Sequence, residues 1–198
     1  DYRVRTALRY VWRDRPLLLA LVAVTTVGIV SDPSITLTPS MADELGGGAG
    51  LVGILSATFG IGAAIGMAVL ALLGGRIASA VVSAVGLWGM ALGCVLLAAA
   101  AVTPVAVVGF VVTGLGFGWA LTGLSTVVQE RALEALRGRI MALWLVGFLG
   151  SRPIAAAVLG GTADLVNVQA AFGVAAVVGL AVALWCRPSN LTGALPSM

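Results

Sequence analysis

Residues 137–161 read RGRIMALWLVGFLGSRPIAAAVLGG: two arginines, a long apolar run, and then Arg152 followed by Pro153 in the middle of that run. At 1.5 Å of rise per residue, an apolar helix of roughly 20 residues crosses the ~30 Å hydrocarbon layer of a bilayer. The stretch reads as a membrane span with a cation near its centre. A charge in hydrocarbon costs at least about 2.5 kcal/mol, so this arginine is either a structural oddity or a site of function.

Composition extends the reading to the whole chain. Of its 198 residues 60% are hydrophobic and 10% charged, and the mean hydropathy is +1.11. A soluble domain carries roughly a quarter charged residues, so this chain presents apolar surface to lipid, and the bilayer is its first expected partner. Six segments are long enough to cross it: 17–37, 51–73, 77–101, 105–128, 140–160 and 166–186, with a tail at 188–198. The weakest separation is Gly74-Gly75-Arg76, but an unbroken helix from 51 to 101 is far too long for one span.

The net charge of +3 comes from eleven basic residues, all arginine. With residues 1–16 in the cytoplasm, every arginine except Arg152 falls on the cytoplasmic side, including Arg3, Arg76 and Arg187. That bias gives an even number of spans and places both ends of the chain inside. The charge is topological, and no nucleic-acid partner is expected. With no histidine, His-based triads, imidazole relays and His metal ligands are excluded. No cofactor or metal is expected, and no enzyme. Cys94 and Cys186, both in apolar runs, read as small hydrophobes.

Residues 1–16 lack a signal-peptide pattern and are expected to continue from a longer protein. Val4, Leu8, Val11 and Trp12 share one helical face, and Arg5, Arg9 and Arg13 another. Such a helix lies on an anionic membrane surface or serves as a solvated linker marking the cytoplasmic side. Gly62 and Gly66 form GxxxG, Gly114, Gly116 and Gly118 crowd the fourth span, and Gly147, Gly150 and Ser151 the fifth. This is the small-residue pattern of tightly packed spans.

Three stretches, ALRYVWRDRPLLLAL (7–21), LTPSMADELGGGAGLVGILSATFGIGAAIG (37–66) and VVQERALEALRGRIMAL (127–143), resemble the major facilitator superfamily, specifically its enterobactin exporter-like branch of bacterial efflux proteins. The QER and RGR pairing is the most specific part. The resemblance implies an all-α membrane protein of six transmembrane helices, built as two inverted three-helix repeats and forming the C-terminal half of a twelve-helix transporter. Its further partners would be the N-terminal six-helix half, a small-molecule substrate and protons, with a midplane cavity of alternating access between the halves. One departure is that the loop 73–77, Leu-Gly-Gly-Arg-Ile, lacks the charge cluster usual there.

Polar residues inside the spans supply the candidate site. Thr122, Ser125, Thr126 and Gln129 share a face of the fourth span, with Trp119 one turn earlier. They either bond their own helix and its neighbours or, as the resemblance suggests, line the cavity. Asp32 lies roughly 24 Å along the first span and Arg152 roughly 18 Å along the fifth, each followed by proline. In family architecture those spans are neighbours, which makes an ion pair feasible. Asp32 either ends the first span early or takes up and releases a proton, while Arg152 is a static partner or holds an anionic substrate group. Glu130, Arg131, Glu134, Arg137 and Arg139 form a cytoplasmic charge network, with Glu134 in reach of Arg137 and Gly138 ending the turn. That network either caps helices or latches the two halves.

The reading is a fragment of a secondary active transporter in the bacterial inner membrane, exporting a small amphipathic molecule, a drug or siderophore, by proton antiport. The alternative is a membrane assembly subunit that binds a protein partner through its helices.

Overall fold

The first span starts where Asp14 caps it. The carboxylate accepts the Leu17 N–H at 3.1 Å, and Pro16 stands in the first turn, where a missing N–H costs nothing. The computed structural model describes residues 4–73 and 75–193, without the side chains of Val4 and Arg5. Arg3, Gly74 and the tail beyond Gly193, which enter the expectations above, lie outside the described residues.

Among the described residues every regular element is helical. A short helix α1 (Val4–Arg13) precedes α2 (Arg15–Ser31), α3 (Pro33–Thr36) and α4 (Thr38–Glu44). The long helices α5 (Gly48–Leu73), α6 (Ser79–Ala98) and α7 (Thr103–Arg131) follow, then α8 (Arg137–Gly150), α9 (Arg152–Leu165), α10 (Val168–Trp185) and α11 (Pro188–Leu191). They form six segments able to cross a membrane: Arg15–Thr36, Gly48–Leu73, Ser79–Ala98, Thr103–Arg131, Glu134–Leu165 and Val168–Trp185. The second and third are separated at Gly75, whose φ of 74° is the left-handed conformation that favours glycine. The following Arg76 N–H returns to the Leu73 carbonyl at 3.1 Å.

The first and fifth spans are broken, and the sequence shows why. Proline has no N–H and its ring crowds the carbonyl four residues back. Pro33 and Pro153 therefore end α2 and α8 and open α3 and α9.

The fourth span, α7, sits between α5 and α6. A methyl group on Gly62 would collide with the Val111 carbonyl oxygen, and one on Gly116 with the Met90 N–H. Glycine at these points lets the backbones touch, as small residues do between membrane helices. Farther out, α10 covers α6, while α2 packs against α7 and α8. Phe110 and Phe172 meet edge to face at 6.2 Å, joining the fourth and sixth spans in the core.

In α1, Ala7 and Val11 are buried, while Leu8 and Trp12 are exposed at 41% and 71%. Two local expectations are corrected. Gly138 does not end a turn: α8 already begins at Arg137, after a 3-10 turn at Glu134–Leu136. Gly150 makes no close interhelical approach, whereas a methyl group on Gly147 would lie 2.7 Å from Thr25 Oγ1. Cys94 and Cys186 are both buried.

Candidate functional site

Ser151 sits in the break of the fifth span and ties it to the first. Its hydroxyl is shared between the Phe148 carbonyl at 3.1 Å and the Thr25 carbonyl at 3.2 Å. The spans can come this close because Gly28 faces Phe148 and Ser151 with no side chain of its own. The Leu149 carbonyl, four residues before Pro153, accepts the Ser151 N–H instead.

Beyond the break, Arg152 turns back along the helix, and its guanidinium stands 5.3 Å from the centroid of the Phe148 ring. A cation over an aromatic face is attracted by the ring quadrupole. The Arg152 Nε is buried and has no hydrogen-bond partner, and the same holds for Trp144 Nε1. Trp144, Phe148 and Arg152 are spaced four apart, so they form one line along the fifth span. The line continues across the bundle. Trp144 lies 5.6 Å from Phe148, Phe148 lies 6.2 Å from Phe117 of α7, and Phe117 lies 5.6 Å from Phe59 of α5. All four rings are half-buried. The second, fourth and fifth spans thus share an aromatic row with a cation and two unmatched donors at one end.

Asp32 closes this region from the first span. It caps the end of α2 and is 4% exposed. Thr36 Oγ1 donates to its Oδ2 at 3.0 Å. The packing of α3 on α9 brings Asp32 within electrostatic range of Arg152. Among the described residues no salt bridge joins the two. The structure places them as neighbours held apart, with Arg152 drawn onto Phe148. The first span does not stop at Asp32 but resumes as α3 after one residue.

The polar face of the fourth span lies elsewhere. Ser125 Oγ and Thr126 Oγ1 both donate to the Thr122 carbonyl, at 3.1 and 2.9 Å, satisfying themselves on their own helix. Gln129 is exposed. Trp119, which shares that face by spacing, donates its indole N–H to the Gly66 carbonyl at 2.8 Å and so locks α7 to α5. Thr122, Thr126 and Glu130 line a cleft of about 250 Å³ between the second, third and fourth spans, at the arginine-bearing end. Thr122 lies about 14 Å from the end of α7, whereas Arg152 lies about 22 Å past the start of α8 at Arg137.

The charge network is arranged around a residue that sequence reasoning did not pair. Arg131, 9% exposed, meets the buried Asp14 with Nη2 2.9 Å from Oδ1, and its Nε donates to both carboxylate oxygens at 3.1 Å. Its Nη1 donates to the Gly193 carbonyl at 2.8 Å, and its own carbonyl accepts the Tyr10 hydroxyl at 2.9 Å. This knot gathers α1, α2, α7 and the chain after α11. Burial, and then the Asp14 charge, push the Tyr10 phenol above its ordinary 10, against the opposing effect of Arg131. Glu130 accepts the Ser79 hydroxyl at 2.8 Å. Glu134 and Arg137 are exposed and, among the described residues, not paired with each other, while Arg139 is half-buried and engaged. No group of His, Cys, Asp or Glu among the described residues is arranged to hold a metal ion.

Comparison with known proteins bears on this geometry. A family model described as Major Facilitator Superfamily matches residues 16–194. Among solved structures, a mutant peptide transporter POT in complex with sulfate has a TM-score of 0.79 at 18% identity, covering 90% of this chain and 39% of that one. A second, in complex with alafosfalin, has a TM-score of 0.70 at 19% identity, covering 89% and 38%. The chain therefore spans about two-fifths of the length of those transporters, and at such identity the likeness is one of fold. No curated protein matches the chain.

Proposed function

Because this chain belongs to the Major Facilitator Superfamily, we propose that it forms the C-terminal half of a secondary active transporter that exports a small amphipathic molecule by proton antiport. The other half supplies the facing wall of the cavity, and the whole works by alternating access in a bacterial inner membrane, with both ends of this chain in the cytoplasm. The enterobactin exporter-like stretches favour a siderophore or drug as substrate.

The observation that carries this reading is the Arg152 site. Charges inside membrane spans face a bundle interior or an aqueous path and mark substrate or ion routes. Here the cation is stacked on Phe148, its Nε is unmatched, and a buried carboxylate stands within electrostatic range without contact. A guanidinium does not give up its proton in proteins, so Arg152 is the fixed cation of the pair. Asp32 is therefore the member that takes up and releases the proton, while Arg152 holds an anionic group of the substrate or, when the site is empty, the field of Asp32. The aromatic row gives the apolar part of the substrate a flat surface.

The test is efflux of a fluorescent dye from cells expressing the full-length protein, with and without a protonophore. Asp32→Asn is expected to abolish the protonophore-sensitive component and Arg152→Ala to weaken substrate selectivity. Unchanged proton-driven efflux in both variants would make the pair scaffold.

A further inference from the structure

A second site lies away from the aromatic row, between the first and sixth spans. A crevice of about 450 Å³ is lined by Arg15, Leu18, Leu19, Val22, Trp185 and Asn190. It lies where α2 meets the end of α10 and the short α11. Its floor is aliphatic and its rim is polar. Arg15 is the first residue of the first span and Trp185 the last of the sixth, so both stand at the level where hydrocarbon meets headgroups. Trp185 is 61% exposed, as befits an indole at that boundary. Asn190 donates its amide to the Trp185 carbonyl at 2.8 Å, which ties the rim together. Among the described residues Arg15 makes no ion pair or side-chain hydrogen bond. Its neighbour Asp14 is engaged by Arg131 and the Leu17 N–H.

We infer that this crevice is a binding site for an anionic phospholipid, one acyl chain lying along Leu18, Leu19 and Val22 and the headgroup phosphate meeting Arg15. Charge decides the occupant. An unpaired arginine at headgroup depth above an apolar channel complements a lipid phosphate with net negative charge, and basic pockets between membrane helices hold such headgroups. A zwitterionic lipid fills the same channel but carries its own cation to the rim, against Arg15. The crevice belongs to the first and sixth spans, and the open aromatic row to the second, fourth and fifth, so lipid and substrate do not compete for one surface.

The experiment is native mass spectrometry of the full-length protein, released from nanodiscs holding equal phosphatidylglycerol and phosphatidylcholine. The wild type is expected to retain phosphatidylglycerol preferentially. Arg15→Gln is expected to lower that preference about fivefold, the factor equivalent to ~1 kcal/mol for one arginine near an anionic surface. Val22→Trp fills the channel without changing charge and is expected to lower retention of the bound lipid. Circular dichroism checks that each variant keeps its helix content, and either variant alone suffices for the test. Equal retention of the two lipids by the wild type overturns the assignment, as does a preference that Arg15→Gln leaves intact or a retention that Val22→Trp leaves intact.

Discussion

Arg131 Nη2 lies 2.9 Å from Asp14 Oδ1, joining two charged residues 117 positions apart in sequence and both nearly sealed from solvent. The pair fastens the end of the fourth span to the start of the first. Removing one member of a buried pair leaves the other charge uncompensated, at a cost of about 3–5 kcal/mol. Arg131→Met is therefore expected to lower thermal stability sharply in detergent. Asp14→Asn combined with Arg131→Met is expected to recover part of the loss, because the stranded carboxylate is gone. Scanning fluorimetry of the single and double variants measures both; a single variant as stable as wild type would remove the pair from the scaffold.

Tyr10 offers a spectroscopic view of the same knot. Its phenol titrates above 10 in the folded protein, chiefly because burial disfavours the phenolate. A group whose pKa is raised on folding contributes stability that is complete below its unfolded value and is lost as pH climbs through the folded value. The phenolate absorbance of Tyr10, taken as the difference between wild type and Tyr10→Phe, is expected to develop only above pH 10. The stability advantage of Tyr10 over Phe is expected to fade across that same range. Titration at or below 10 would contradict the buried setting.

Trp144 tests the unmatched donors. Trp144→Phe keeps a ring beside Phe148 and removes only the indole N–H. Because that N–H has no partner in the protein, stability is expected to stay unchanged. If substrate accepts a hydrogen bond there, the apparent KM for transport rises about three- to tenfold, the range of one net hydrogen bond. An unchanged KM would leave Trp144 as packing.

The glycine contacts predict opposite outcomes at two positions of the second span. Gly62→Ala drives a methyl group into the Val111 carbonyl, a backbone atom that cannot step aside. A loss of about 1–3 kcal/mol is expected, as for overpacked cores. Gly60→Ala meets nothing within 4 Å and is expected to be neutral or slightly stabilising through helix propensity. Thermal stability of the two variants, measured side by side, decides the matter; equal effects would mean that the second and fourth spans are not held backbone to backbone.

Hydropathy and length made the six spans legible, since a bilayer leaves few other ways to bury such runs. Arg152 stood out because every other arginine could be assigned to one side. The line from Trp144 through Phe148 to Arg152 was present in the spacing, yet its meaning depended on Phe117 and Phe59. Those residues sit on other spans, and their meeting is set by helix rotation, which periodicity does not carry. Spacing placed Trp119 with Thr122 and Thr126, but the carbonyl of Gly66 is what its indole reaches. The pairing of Asp14 with Arg131 had no local signal, because nothing near either residue names a partner so far along the chain.

The glycine-seamed contact of the second and third spans with the fourth has a mechanical consequence. At Gly62, Gly114 and Gly116 those helices touch backbone to backbone, where no side chain stands between them to yield, and form a stiff plate. The first and fifth spans are jointed, the fifth at a proline near mid-depth and the first at one toward its far end, and a single serine hydroxyl pins the two spans together. Stiffness is thus unequally distributed within one half of the bundle. Any bending during a cycle concentrates at the joints, where Asp32 and Arg152 stand, so a change in the distance between those charges and a flexing of the scaffold are one and the same movement.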